Sequence, residues 1–249
     1  MTPLVTVAVP SLNQGEYLDA ALASLFAQTL PIEVFVVDGG STDASLAIIE
    51  KWSPRLAGWR SRKDAGQAAA INEAIAGGSA PFVYWLNSDD LLLPGGLDVL
   101  VATLRANSGA VAAYGRAWAV DDATGETRPV WVEPFAAAKL ARRCIISQPA
   151  CVVRRDAWVG VGGLDEHLEL AMDYDLWWRL WRAGGKFVFV DEFIATNRLH
   201  DRTKTRTARR RHYDEAVAVV RKHYGRVPMK WALWRPYAVW AKSIFPRLR

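Results

Sequence analysis

Three short polar clusters stand directly behind apolar runs in this 249-residue chain: Pro10-Ser11-Leu12-Asn13, Asp38-Gly39-Gly40-Ser41-Thr42-Asp43 and Asn87-Ser88-Asp89-Asp90. The third is the sharpest. Adjacent carboxylates repel one another unless a cation or hydrogen-bond donors offset their charge. Hard divalent cations that bridge phosphates are commonly held by one or two carboxylates, with phosphate oxygens filling much of the shell. Asp89 and Asp90 therefore suit a metal–diphosphate site, but taken by themselves they suit a helix N-cap ahead of residues 91–93 better. Dinucleotide and P-loop chemistry find no support: Gly160-Val161-Gly162-Gly163 has the wrong spacing for GxGxxG, and no Walker A sequence occurs.

The clusters need a frame that brings them together. Residues 4–9 form an apolar, β-branched run that reads as a buried strand. Residues 13–28 place Tyr17, Leu18, Ala21, Leu22, Leu25 and Phe26 at helical spacing. A strand over 32–37, helices over 44–52 and 66–76, and a strand over 81–86 follow. Strands and helices alternating in units of roughly thirty residues predict an α/β fold with a parallel sheet. In such a sheet the carboxyl ends of the strands line one ligand crevice, and all three clusters fall there. Beyond it the pattern predicts a helix over 94–106, a strand over 110–119 with a turn at 121–126, a helix over 173–183, a strand over 186–190 and a basic helix over 208–223. Residues 131–155 carry no clear period.

Composition narrows the class. With 51% hydrophobic and 23% charged residues, the chain has material for a sizeable core and is not disordered as a whole. No charge-free run approaches the ~20 residues that cross a bilayer, and the opening MTPLVTVAVPS lacks the basic segment of a signal peptide. Cys144 and Cys151 are too few for a disulfide framework and fit no zinc pattern, so the expected location is the cytoplasm. The net charge of +5 divides unevenly: residues 1–201 hold 17 Lys+Arg and 24 Asp+Glu, whereas residues 202–249 hold 14 and 2. An acidic body with a basic tail points to a polyanionic partner. The tail over 228–249 mixes Lys and Arg with Trp231, Trp234 and Trp240, which suits an anionic membrane surface. A helix packed on its own domain is the alternative. Nucleic acid would explain the charge but no diphosphate site, and is not expected.

Several segments in colinear order, VTVAVPSLNQGEYL, VVDGGSTDAS, DAGQAAAINEAIA, VYWLNSDDLLLPGGL, GGLDE and MDYDLWWRL, resemble the family 2 glycosyltransferases over roughly residues 4–200. The resemblance implies the nucleotide-sugar-binding GT-A fold, a Rossmann-like, mainly parallel twisted sheet flanked by helices. It assigns Pro10, Ser11 and Asn13 to the border of the nucleoside pocket, Asp38 to a hydrogen bond from the base, and Gly39 to substrate binding. Asp64 and Gln67 fall on the nucleotide side of the crevice. Asn87-Ser88-Asp89-Asp90 stands in place of the family's DXD-type motif: Asn87 and Asp89 would bind donor, Asp89 holding ribose or a metal-bound water, and Asp90 would ligate Mn²⁺ or Mg²⁺. Asp173 aligns with the family's catalytic base, although Met172 replaces the usual acid and Asp175 lies two residues away. Late histidines serve some GT-A enzymes as metal ligands, which brings in His200. Gln148-Pro149 lies where relatives build the acceptor pocket.

Residue-level alternatives remain beside these roles. Asp38 suits a turn before two glycines, Asp64 a helix cap, and Asp173 a cap with Asp175 as a first-turn acid. The sequence thus predicts a GT-A domain over residues 1–205 and a basic, aromatic, helical extension over 206–249, packed on the domain or on the inner face of a membrane. The implied activity is metal-dependent, inverting transfer from a nucleoside diphosphate sugar, a UDP-sugar first, to a hydroxyl acceptor. Bacterial surface polysaccharide or glycolipid synthesis is the implied setting, and the acceptor would be carried on lipid. Two rivals stand: a sugar-nucleotide-forming nucleotidyltransferase, disfavoured because residues 10–15 hold no Lys or Arg, and a non-enzymatic polyanion-binding protein.

Overall fold

The computed structural model describes residues 2–241, so the last eight residues of the basic tail, and the side chain of Trp240, lie outside the described residues. The first half alternates as the sequence predicts: β1 (Val5–Ser11), α1 (Leu18–Phe26), β2 (Ile32–Asp38), α2 (Ser45–Trp52), β3 (Gly58–Ser61), α3 (Gln67–Gly77) and β4 (Phe82–Trp85). Then come β5 (Leu91–Leu92), α4 (Gly96–Ala106), β6 (Ala110–Asp121), β7 (Thr127–Pro129), α5 (Ala137–Leu140), β8 (Cys151–Arg154) and α6 (Arg155–Gly160). The remainder is α7 (Met172–Arg182), β9 (Lys186–Leu199), α8 (Lys204–Thr207), α9 (Arg209–Tyr224) and α10 (Met229–Arg235), ending in a π-helical turn over Pro236–Ala241.

Among the described residues one nine-stranded sheet carries the fold, in the order β3-β2-β1-β4-β8-β6-β9-β5, with β7 on β6. Strand β1 pairs in parallel with both β2 and β4, and all seven of its residues are buried. That double coverage is why its sequence is a continuous apolar run rather than an alternating one. The chain passes from β1 outward through β2 to β3, then returns to place β4 on the other side. The strand order therefore reverses at β1, and the crevice opens there. Beyond β4 the sheet becomes mixed: β8 runs antiparallel to both β4 and β6, while β6 and β9 form a long parallel pair. That pair is interrupted by register shifts near Gly115, where a Cβ would stand 2.8 Å from the Glu192 carbonyl oxygen.

Each face of the sheet has its own core. Leu18, Leu22 and Leu25 of α1, Ile49 of α2 and Leu97, Leu100 and Leu104 of α4 cover one side. On the other, Ile71 and Ile75 of α3 and Trp158 of α6 pack with Trp177 and Trp178 of α7 and Val219 and Val220 of α9.

Three departures from the sequence pattern have physical causes. The first helix starts at Leu18 rather than at residue 13, because Asn13 adopts a left-handed φ of 52° and ties two loops together. Its backbone N–H donates to Ser41 Oγ at 2.7 Å, and its Oδ1 accepts from the Thr42 N–H at 2.9 Å. Strand β9 extends to Leu199, not residue 190, carried by its ladder to β6. Strand β3 is an edge of four residues without an apolar run.

Candidate active site

A crevice of about 720 Å³ opens at the carboxyl ends of β1, β2 and β4. It gathers Pro10, Ser11, Asn13, Gly39, Asp64, Gln67, Asn87, Asp89, Asp90 and Asp173 along its walls. Their sequence separation is bridged by the parallel strands, which deliver each loop to the same edge. Asp38 lies beneath that wall, fully buried. Its Oδ2 accepts from the Gly40 and Ser41 N–H groups and from Ser61 Oγ, and its Oδ1 from Ser41 Oγ. Burial opposes its ionisation, but these bonds outweigh it and hold the carboxyl below its ordinary range. In this conformation Asp38 shapes the Gly39–Ser41 turn from below.

Asp64 is held the same way on the β3 side. Its Oδ1 accepts from the Gly66 N–H at 2.9 Å, and Arg60 reaches its Oδ2 at 3.2 Å. Arg60 also donates to the Asp38 carbonyl oxygen at 2.7 Å and pairs with Glu73. Arg60 escaped sequence reading because it sits on the unrecognised strand β3.

A row of amides crosses the crevice. Lys204 Nζ donates to Gln67 Oε1 at 2.8 Å, Gln67 Nε2 to Asn87 Oδ1 at 2.8 Å, and Asn87 Nδ2 to Gln148 Oε1 at 3.2 Å. Gln148 Nε2 closes the row on the Trp85 carbonyl oxygen at 2.7 Å. Burial lowers the Lys204 pKa, while the charges of Glu169, Asp89 and Asp64 oppose that shift. The α9 residue His212 also lines the crevice, with its pKa lowered by burial. Nothing in the sequence singled it out from the basic helix that carries it.

The two adjacent aspartates part company. Asp90 turns inward: its Oδ1 accepts from the Arg198 N–H at 3.0 Å and its Oδ2 from Asn87 Nδ2 at 3.1 Å. Burial, with the neighbouring Asp89 charge, pushes its carboxyl up to about 8. Asp89 faces His200, Oδ2 to Nε2 at 2.9 Å, and the imidazole stacks on Tyr17 with its Nδ1 unpartnered among the described residues. No Lys or Arg forms an ion pair with either aspartate among the described residues, and Arg198 and Lys204 act on them only at longer range. Carboxylate oxygens beside an imidazole nitrogen suit a hard divalent cation. Among the described residues no three such side chains converge into a cage, so diphosphate oxygens and water would fill the rest of the shell.

Asp173 and Asp175 occupy the first turn of α7 and also diverge. Asp173 faces the crevice, and burial pushes its carboxyl up to about 6. Asp175 points the other way, wholly buried between α7 and α9. It bonds Arg179 Nε at 2.5 Å, His223 Nε2 at 2.7 Å and Lys222 Nζ at 3.2 Å. Burial would raise its pKa, but these partners hold it far below the ordinary carboxylate range.

Residues 6–156, more than half of the chain, match the model of the family described as "Glycosyl transferase family 2". Over 204 residues the chain is 28% identical to the chondroitin synthase of Pasteurella multocida, covering 80% of this chain but 21% of that protein. Among solved structures, S. aureus TarS 1–349 in complex with UDP-GlcNAc superposes with a TM-score of 0.74 at 19% identity, covering 98% of this chain and 76% of that one. The mannosyltransferase PcManGT from Pyrobaculum calidifontis, in complex with GDP-Man and Mn²⁺, gives 0.70 at 20% identity over 100% of this chain and 71% of its own. At these identities the two structures establish a shared fold. No helix among the described residues is long and apolar enough to cross a membrane.

Proposed function

The chain belongs to glycosyl transferase family 2 and has the GT-A fold, and on that premise we propose that it transfers a sugar, with inversion, from a nucleoside diphosphate sugar to a hydroxyl acceptor. One observation carries the reading: Asp89, backed by the buried His200, and a carboxylate poised near neutrality, Asp173, line a single crevice at the strand ends. Family membership disfavours the rival of a binding protein without catalysis.

In the proposed reaction Pro10, Ser11 and Asn13 border the nucleoside, with Gly39 and Asp64 beside it and Asp38 bracing the turn. Gln67 and Asn87 orient the donor through the amide row. Asp173 takes the proton of the acceptor hydroxyl as its oxygen attacks the anomeric carbon. The bond from that carbon to the diphosphate oxygen breaks, and a single displacement inverts the centre. Lys204 and Arg202, at the crevice rim, face the negative charge that develops on the departing diphosphate. Asp89 and His200 are assigned to hold Mn²⁺ or Mg²⁺, which when bound supplies Lewis-acid stabilisation of that charge. This differs from the expectation that gave the metal to Asp90, whose oxygens are engaged internally and which is assigned to support the Asp89 turn.

A UDP-sugar is the first donor to test, in keeping with the UDP-GlcNAc bound by TarS; a GDP-sugar is the second. The similarity to a chondroitin synthase supports a role in polysaccharide synthesis; an acceptor carried on lipid is our further proposal. On this reading the chain beyond α9 brings the domain to the cytoplasmic membrane face, while α9, which the expected extension over residues 206–249 included, packs into the core on α7. The deciding experiment is a thermal-shift titration with UDP and GDP, with and without Mn²⁺. One nucleotide should stabilise the protein, and more strongly with metal. No stabilisation by any nucleoside diphosphate would sink the reading.

A further inference from the structure

Trp131 and the helix α10 lie far apart in sequence, yet the fold brings them to one face. Trp231 Nε1 donates to the Ala141 carbonyl oxygen at 2.8 Å, and the Tyr213 hydroxyl bonds the Trp231 carbonyl oxygen. These bonds seat α10 beside the segment carrying Arg142 and Arg143. Arg143 stacks over the Trp131 ring at 5.2 Å, and Lys230 feels the charges of both arginines and of Glu133. The outer arc of α10 holds Met229, Lys230, Leu233 and Trp234, while Trp231 points inward.

Two properties of this face are costly for a surface meeting water alone. Trp131, Met229, Leu233 and Trp234 are exposed by 61, 76, 72 and 49%, a concentration of large apolar side chains that marks an interaction surface. Arg142, Arg143 and Lys230 also crowd together and outnumber the nearby Glu133, which is itself paired with Lys139. Neighbouring like charges call for an anionic partner.

We infer that this composite face, Trp131 with Arg142 and Arg143 on one side and the outer arc of α10 on the other, docks on a bilayer containing anionic phospholipid. Cations beside exposed Trp, Met and Leu match the headgroup–acyl boundary, where charge and apolar surface are met together. A soluble polyanion would engage the cations and leave the apolar side chains in water. A second copy meeting the same face about a twofold axis would set these cations against their own kind. The face also borders the crevice. Val130 and Cys144, chain neighbours of Trp131 and Arg143, line it, as does Ile146. Docking here would open the acceptor end of the crevice toward lipid. That consequence rests on the transfer reading above; the docking itself does not.

The test is co-sedimentation of the full chain with phosphatidylcholine vesicles, with and without a minority of phosphatidylglycerol. Wild type should bind the anionic vesicles and ignore the neutral ones. Combined Arg142→Glu, Arg143→Glu and Lys230→Glu should weaken binding by about a hundredfold. Trp131→Ser with Leu233→Ser should weaken it by about tenfold, including at high salt, because burial is not screened. Brominated lipid should quench wild-type tryptophan fluorescence, and Trp131→Phe with Trp234→Phe should remove most of the quench. Retention of wild-type binding by the charge-reversed protein, or of the quench without those two tryptophans, would overturn this face in favour of the chain beyond residue 241. Unchanged binding after the Trp131 and Leu233 substitutions, or equal competition by dextran sulfate, would overturn the bilayer in favour of a soluble polyanion. UDP and GDP binding by the same proteins keeps the two readings apart: vesicle binding without nucleotide binding refutes the transferase proposal alone.

Discussion

Among the described residues are two aspartate–histidine pairs of nearly the same length, Asp89–His200 at 2.9 Å behind the crevice wall and Asp175–His223 at 2.7 Å where α9 meets α7. Each imidazole stacks on an aromatic ring, Tyr17 or Trp178, and each Nδ1 lacks a partner among the described residues. The surrounding charge separates them. Arg179 and Lys222 complete the network around Asp175 and drive its pKa down. Asp89 instead adjoins a second carboxylate, Asp90, that is pushed up to about 8. A balanced pair locks two helices together; an unbalanced one has capacity left for a ligand. The same local motif thus serves structure or chemistry according to what the fold places around it.

Substitution at the two aspartates is the strongest way to break that contrast. Asp89→Asn should lower transfer by on the order of a thousandfold, as loss of a charge-stabilising group does, and should leave the melting temperature nearly unchanged. EDTA should silence the wild type to a similar degree. Activity that survives chelation would remove the cation from the crevice. Asp175→Ala should do the reverse. It strands Arg179, Lys222 and His223 without their shared anion and should cost about 3 to 5 kcal/mol of stability, read by urea unfolding. If Asp175→Ala unfolds no more easily than wild type, the joint is not the lock described above.

A smaller effect sharpens the contrast along α7 itself. Asp173→Asn keeps the shape and polarity of the side chain but not its proton acceptance. Turnover should fall by on the order of a hundredfold or more, while nucleotide affinity holds. Asp175→Asn, if it folds, should be the milder of the two in turnover per folded molecule. The opposite ranking would move the base to Asp175.

How much of this could be read beforehand depended on where the determining contacts lie. The runs that became β1, β2 and β4 announce themselves because burial on both faces writes continuous apolar sequence. The polar loops behind them then had to share an edge. Strand β3, with the sequence GWRS, buries too little to leave such a trace, and Arg60 went unnoticed with it. Which of two neighbouring acids faces the crevice is a tertiary matter. Asp90 is claimed by the Arg198 backbone, 108 residues away, and Asp175 by His223, 48 residues away. Residue spacing on one turn carries no information about either partner. His212 is the same case: helical periodicity places it on α9, and only the packing of α9 on α7 brings it to the crevice.

The last expectation uses pH to separate the two acids of α7 in one unmodified protein. Burial raises Asp173 to about 6, so its proton-accepting form is nearly full at pH 7 and declines below pH 6. Turnover should therefore fall about tenfold for each unit below that value. For stability the sign is opposite at the two sites. A raised carboxyl binds its proton more tightly folded than unfolded, so Asp173 favours the fold as pH falls from about 6 toward the ordinary 3.8. A depressed carboxyl stabilises above its unfolded value, so the contribution of Asp175 stays intact above 3.8 and is lost only below it. Between about pH 6 and pH 4.5 the enzyme should accordingly lose turnover while remaining folded, and regain it on return to neutrality. Measured with saturating donor and metal, that acid limb should vanish in Asp173→Asn and persist in Asp175→Asn. A limb that survives Asp173→Asn would assign the titrating base elsewhere, and loss of activity that tracks unfolding would show that the α7–α9 joint yields first.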